Sequence, residues 1–490
     1  MKVLIYMPFA AWIPHLVTDL EIIANHLNKG DEVHIIQCSG DIPSCEPNPN
    51  YFKLGCILCK SRRDRGLKIV DLPEKFRHDL ALHRFRKDCD FPEFSSIKEL
   101  IEYKVGGIDY GMMVASTLIS MVREPDPDLR VHKKFIENNL RMAMEIYDAI
   151  AYHIEEIKPD IFYLFNGRYV AMRPALRASQ DLGIKTYLHE RAGVLERYVL
   201  IEDTLPHDLK YQKNQIDLCW SDDFSFDEKS DAASYWFEER RCGKDQSWHS
   251  YTKSQKKGDL PEGFDPSKRN IAIFISSEDE FEAISDWKNP IYRNQNEAIL
   301  AILKSEISED IRFYLRIHPN LKGVKNTQTR EIEEMDAQNL IKISPEDKID
   351  SYQLMESCEK CITFGSTLGI ESVFWGRPSI LVGRCFYEDL EGLHTPSNHE
   401  ELISLINANL DPPPKIGALK YAYWQSVDGE PFIHYSPESV RGGKFMGKYI
   451  VHPFFDRLKD NILGVDLLSR IIRNSAYFVR TWTWKIRQPR

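Results

Sequence analysis

Apolar residues along this chain fall into two alternating spacings. Residues 3–7 (VLIYM) are a continuous β-prone run, and 16–30 (LVTDLEIIANHLNKG) carries apolar side chains at helical spacing until Gly30 stops it. EVHIIQC at 32–38 predicts the next strand, and strand, helix, strand in this order opens a parallel, doubly wound sheet. Further strands are predicted at DIFYLF (160–165) and KTYLHE (185–190), separated by the helical VAMRPALRASQDLG. Residues 76–152 are mostly helical in pattern, with Pro125 and Pro127 marking a turn. From 203 to 268 the pattern is polar and irregular. A second alternation follows, with strands predicted at 270–276, 312–318, 340–344, 360–365 and 378–383 and helices near 294–307 and 326–338. The expectation is an α/β fold: a doubly wound domain with a helical insert over 1–205, an irregular linker over 206–268, a second doubly wound domain over 269–440 and a helical tail over 441–490.

Composition narrows the function classes. A chain of 490 residues, 42% of them hydrophobic, can bury more than one core. Its net charge of -10 supplies no field that would gather nucleic acid, so a nucleic-acid reader is disfavoured. Pro8, Pro14, His15 and Asp19 interrupt the N-terminal apolar run before it reaches signal-peptide or membrane-span length. Ten cysteines are too few for a disulfide scaffold in so long a chain, and without an export signal they are expected to remain thiols in the cytoplasm.

The densest chemistry is at 361–383, CITFGSTLGIESVFWGRPSILVG, which places a strand, a small-residue turn (Gly365, Ser366, Thr367), a helix and another strand in succession. Such a turn presents backbone amides and two hydroxyls at a helix N-terminus, where the dipole favours an anion such as a diphosphate or phosphodiester. Glu371, about one turn into the helix, is placed to accept hydrogen bonds from ribose or sugar hydroxyls. An ordinary strand-to-helix connection with a serine cap explains the same residues. Two other predicted strand ends finish in polar clusters: Ser276, Ser277 and Glu278 in FISSEDEF, and Arg316, His318 and Asn320 in LRIHPN. Ligands of open parallel sheets bind beyond the carboxyl ends of strands, so these clusters together describe a nucleotide pocket.

The run from SSEDEF through LRIHPN to GSTLGIESVFWGRPSILVG resembles the donor half of GT-B glycosyltransferases of capsule and surface-polysaccharide biosynthesis. Its His-Pro pair and serine turn are also similar to those of bacterial transferases that use CMP-activated sialic acid or Kdo. The resemblance covers roughly 270–400. It implies two Rossmann-like domains, a nucleotide-sugar donor as substrate, donor phosphate on His318, Ser366 and Thr367, donor hydroxyls on Glu371, and transfer without a catalytic metal.

In the N-terminal half, MPFAAWIPH puts His15 at the start of the second element. In inverting GT-B enzymes of the plant and antibiotic type a histidine in a similar loop is the base that deprotonates the acceptor, although the Gly-His pair usual there is missing here. A structural histidine fits as well. FNGRYVAMRP and LHERAG would bring Asn166, Arg168, His189, Glu190 and Arg191 to the same rim, with Glu190 as the second catalytic candidate and the others as acceptor contacts. A structural Arg–Glu network is the alternative. Cys38, Cys45, Cys56 and Cys59 lie close together in sequence and could form a tetrahedral structural zinc site, or be four unlinked thiols. After Asp466 the chain is basic and aromatic without an acidic residue, which suits an anionic membrane surface carrying a lipid-linked acceptor, or a terminal helix packed on the N-terminal domain. The reading is a glycosyltransferase at the inner face of the membrane acting on a glycan or lipid-linked acceptor. A 2-epimerase of sugar nucleotides and a noncatalytic assembly scaffold share the fold and are the alternatives.

Overall fold

The structure is a computed structural model that describes residues 1–48 and 51–450. Six strands come from the first part of the chain: β1 (Lys2–Met7), β2 (Glu32–Gln37), β3 (Arg77–Asp79), β4 (Ile161–Phe165), β5 (Lys185–Arg191) and β6 (Arg197–Glu202). Six more form the second sheet: β7 (Arg269–Phe274), β8 (Ile311–Arg316), β9 (Leu340–Ile343), β10 (Lys360–Thr363), β11 (Ser379–Leu381) and β12 (Leu393–His394). The chain then returns through β13 (Glu430–Pro431) to the edge of the first sheet, whose order is β13-β6-β5-β4-β1-β2-β3; the second sheet runs β12-β11-β10-β7-β8-β9.

Both sheets are doubly wound. In the first, Ile5 of β1 lies opposite Ile35 of β2 on one side and Tyr163 of β4 on the other, both parallel. In the second, Ile273 of β7 lies between Leu315 of β8 and Ile362 of β10, again parallel. The strand order therefore reverses between β1 and β4 and between β7 and β10, and a crevice opens at the carboxyl ends there. Near-continuous burial of VLIYM and IAIF follows from helices covering both faces.

Helix Ile13–Asn28 has Pro14 in its first turn and buries Leu16, Val17, Leu20 and Ile23 on one face of the first sheet. Helix Leu129–Ile157, capped by the Asp128 side chain and ended by Lys158 in the left-handed region, covers the other face together with helix Tyr110–Val122. Gly111 has Leu100 O where a Cβ would stand, so that glycine serves close packing.

Two expectations about organisation change. The stretch 206–268, read as an irregular linker, holds helices Leu209–Trp220 and Phe226–Arg241, whose Ile216, Ala233, Trp236 and Phe237 pack against Tyr421 and Trp424 of helix Ile416–Val427. Their polar faces, exposed to water, hid the periodicity. Residues 435–449, placed partly within the predicted helical tail, are instead the small antiparallel sheet β14 (Tyr435–Ser439), β15 (Gly442–Phe445) and β16 (Lys448–Tyr449). The remainder of that tail, 451–490, lies outside the described residues. Among the described residues no helix is long and apolar enough to cross a membrane.

Candidate active site between the two sheets

The crevice of the first sheet is built by the loops that leave β1 and β4. His15, in the first turn of helix Ile13–Asn28, lies against the ring of Phe165 with centroids 3.8 Å apart, and its Nδ1 is 3.8 Å from Glu190 Oε1. Burial, then the neighbouring Arg191 and His189, hold the His15 imidazole well below its ordinary pKa, so it is neutral at physiological pH. Glu190 is fixed by Asn166, whose Nδ2 donates to Oε2 at 2.8 Å, and by the amide of Arg191, which donates to Oε1 at 3.0 Å. Asn166 itself takes φ 55°, a left-handed conformation that turns the chain sharply off β4. The two catalytic candidates thus meet.

The other predicted acceptor contacts divide. Arg168 remains half-buried in the crevice, lying over the Tyr169 ring and bonded to its hydroxyl. His189 is 0% exposed and bonded through Nε2 to Asp19 Oδ1 at 2.8 Å, because strand alternation turns it under the sheet toward helix Ile13–Asn28; it cannot contact an acceptor. Arg191 is spent on a neighbouring segment: Nη1 donates to Ser247 O at 2.8 Å and the guanidinium lies 5.0 Å from the Trp248 ring.

In the second sheet the small-residue turn stands where expected, beyond β10. Gly365 has φ 106° and would place a Cβ 3.0 Å from Arg384 O, so only glycine fits. Thr367 is the N-cap of helix Leu368–Phe374 without a side-chain cap bond, and in the first turn the Gly369 amide donates to Ser366 O at 2.9 Å. His318 accepts from the Asn320 amide through Nδ1 at 3.1 Å; Nε2 carries the proton and is free to donate. Burial, reinforced by Arg316 and Arg123, lowers its pKa to about 4.

Several predicted donor contacts serve the scaffold instead. Glu371 is 1% exposed, and its carboxylate is shared between Arg240, at 3.0 Å from Oε1, and the Tyr352 hydroxyl on Oε2, so it has no oxygen left for a sugar. Arg316, 3% exposed, donates to the carbonyls of Ser344 and Asp347. The Ser276 amide and carbonyl and the Glu278 amide and carboxylate are tied to Gln295 and Gln328. Ser277 and Asn320 are engaged by Arg123, which stands at the C-terminal end of helix Tyr110–Val122 in the other half.

Sequence reasoning missed the residues that join the halves. Arg123 donates to Ser277 Oγ at 2.6 Å and to Asp279 Oδ2 at 3.0 Å. Arg240 donates through Nη2 to Thr367 Oγ1 at 2.9 Å and through Nε to Glu371 Oε1 at 3.1 Å, which ties helix Phe226–Arg241 to the small-residue turn. The segment 247–251 links the two crevices, from Arg191 through Trp248 to Tyr251, whose ring meets that of His318 at 5.2 Å. A capping box was legible at 225–228, where the Ser225 hydroxyl and Glu228 carboxylate cap each other's backbone, and it would have revealed the helix that carries Arg240.

The cysteines do not assemble a tetrathiolate. Cys59 Sγ accepts from the Ala10 amide, Cys38 Sγ bonds Asp41 and the Gly40 amide, and Cys56 Sγ accepts from Asn48, each facing a different partner. Burial raises the pKa of Cys38 to about 11 and also pushes Cys45 and Cys59 up, which keeps them protonated. Among the described residues no three His, Cys, Asp or Glu side chains form a group that could hold a metal ion.

Two doubly wound α/β halves, with their switch-point crevices linked through Trp248 and Tyr251, have the architecture of the GT-B fold. Residues 266–407, the second sheet with its His318 and Ser366 loops, match the family described as capsule polysaccharide biosynthesis protein. No curated protein sequence matches the chain. Solved structures it resembles include the β-Kdo 2,4-transferase KpsC of Thermosulfurimonas dismutans, 14% identical over 54% of this chain and 79% of that one with a TM-score of 0.37. Another is the UDP-GlcNAc 2-epimerase of Methanocaldococcus jannaschii, 11% identical over 86% of this chain and 98% of that one with a TM-score of 0.25.

Proposed function

We propose that the protein is a glycosyltransferase of capsule polysaccharide biosynthesis that takes a sugar from a nucleotide-activated donor, CMP-linked by the likeness of His318-Pro319 and the serine turn, to a glycan or lipid-linked acceptor. The observation that carries this is the candidate anion cradle beyond the carboxyl ends of β8 and β10: His318, whose Nδ1 accepts from the Asn320 amide, and the Ser366-Thr367 turn at the start of helix Leu368–Phe374, with Arg240 bonded to Thr367, all within the segment matched to the capsule family or bonded to it.

In this reading the donor phosphate rests on that cradle. An acceptor hydroxyl enters the first crevice, where neutral His15 takes its proton at Nε2 while Glu190 steadies the Nδ1 side. The freed oxygen attacks the anomeric carbon, the carbon–oxygen bond to the donor phosphate breaks, and the charge left on phosphate is met by amides and cations in place of a metal. Chelator should therefore leave the rate unchanged. The basic, aromatic residues after Asp466 belong to this reading as a contact with the anionic membrane that carries the acceptor.

Thermal melting against CMP, CDP, UDP, GDP and dTDP tests the donor side, because a ligand of the folded state raises its apparent stability. CMP should give the largest shift, and His318→Ala should weaken it at a cost of about 1–3 kcal/mol of binding. A chain that no nucleotide stabilises would not be a transferase of this kind.

A further inference from the structure

We infer that the outer face of helix Lys53–Ile69 docks the protein on an anionic lipid surface. The helix is mounted firmly: Arg63, Gly66 and Leu67 are buried, and a Cβ on Gly66 would stand 2.5 Å from Leu20 Cδ1 of helix Ile13–Asn28. Its other side departs from the usual polar exterior. Phe52, Leu54 and Ile57 are 48%, 60% and 57% exposed, and Tyr51 beside them is 42% exposed. Apolar side chains this large and contiguous mark a surface that meets something other than water.

Charge says what that is. Lys53, Lys60, Arg65 and Lys68 share the helix with these apolar residues, and its single acid, Asp64, is paired with Arg63. Basic side chains beside large apolar ones are the composition of a helix lying in an anionic bilayer interface, where cations meet headgroups and apolar groups enter the acyl boundary. The second exposed apolar cluster, Leu218, Phe224 and Phe226, sits among Asp217, Asp223 and Asp227 and would be repelled by the same surface, so one side of the molecule is selected. Arg65 Nη1 donates to Ile450 O at 3.4 Å, so residues 451–490, with eight Lys or Arg against three Asp, join the chain at this helix.

The position bears on the reaction. Cys59 of the helix accepts from the Ala10 amide at 3.0 Å, and Arg62 donates to Ala11 O at 2.7 Å, in the loop that leads to His15. A bilayer against the helix would therefore lie beside the entrance to the first crevice, within reach of an acceptor whose lipid end stays in the membrane. Docking itself is independent of the proposed function, and only the acceptor's identity rests on that reading.

Flotation of the full chain with vesicles of phosphatidylcholine containing phosphatidylglycerol is the test, with pure phosphatidylcholine vesicles as control. The protein should float with the anionic vesicles alone. Leu54→Glu with Ile57→Glu should lower the bound fraction about tenfold, and Lys53→Glu with Lys60→Glu should lower it more at low salt than at high salt. Leu54, Ile57 and Lys53 are exposed and Lys60, half-buried, donates only to Ser39 O, so the CMP-induced melting shift should persist in both pairs, which separates loss of docking from failure of the transferase reading. Wild-type protein that does not float, or Leu54→Glu/Ile57→Glu protein that floats like wild type, would overturn the inference; in the second case residues 451–490 or another surface would hold the lipid.

Discussion

Glu46 illustrates how a single residue can stay hidden in a sequence. It follows β2 in a loop with no motif, yet both its carboxylate oxygens are buried without a well-formed hydrogen bond, and burial, only partly offset by the nearby Glu46 and Ala171 amides, raises its pKa to about 7. A carboxyl raised on folding favours the native state below its unfolded pKa, and that contribution disappears as pH climbs through about 7. Glu46→Gln should accordingly gain about 2–3 kcal/mol over wild type at pH 8 and almost nothing at pH 4, read from urea midpoints at the two pH values. His15 has the opposite displacement. Because its imidazole is neutral already at mildly acidic pH, the rising limb of kcat/KM should fall below the ordinary histidine range, and His15→Ala should lower kcat by about 10²–10⁴-fold without altering the nucleotide melting shift. The sequence puts His15, Glu190, His318 and Ser366 near the carboxyl ends of strands, and they lie there because strand-end logic fixes where a residue sits. It mistook Glu371, Arg316 and His189 because the direction of a side chain is set by partners distant in sequence, namely Arg240, Ser344 and Asp19.

Among the elements, parallel strands were the most legible. Buried on both faces, they read as unbroken apolar runs, and β1, β2, β4, β5 and β7 to β11 lie where the pattern puts them. Among the strands that escaped notice, β3 is Arg-His-Asp and β13 is Glu-Pro, both at sheet edges and held by neighbours and not by their own apolar content, whereas β6 lies inside the sheet, antiparallel to β5. Helix Tyr110–Val122 was expected, but its contribution to the site comes from Arg123, one residue past its end. Asp279, the partner of Arg123, is 2% exposed, so Arg123→Ala would strand a buried carboxylate and should cost about 3–5 kcal/mol in urea unfolding. Pairing it with Asp279→Ala should restore much of that loss, giving a coupling energy well above the additive expectation. Additive losses would mean that the ion pair does not join the halves.

For the whole molecule, the twofold alternation in the sequence announced two sheets, but gave no sign that the chain would come back. β13 lies antiparallel to β6, Arg197 Nε donates to Asp428 O at 3.1 Å, and Glu21, 0% exposed, accepts from the amides of Ile433 and His434. A fragment of residues 1–205 would therefore lack part of its own fold and should melt without a cooperative transition, whereas the full chain should unfold with one. The return also governs how the halves are joined. The chain leaves the first sheet after β6 and re-enters it at β13, beside the point of departure, and Gly429, at φ 81° with Tyr198 O where a Cβ would stand, allows the second passage to lie close against the first. Two adjacent strands of backbone thus stitch the halves together at one edge of the first sheet, and the Arg123 contact fastens them at a second, distant place.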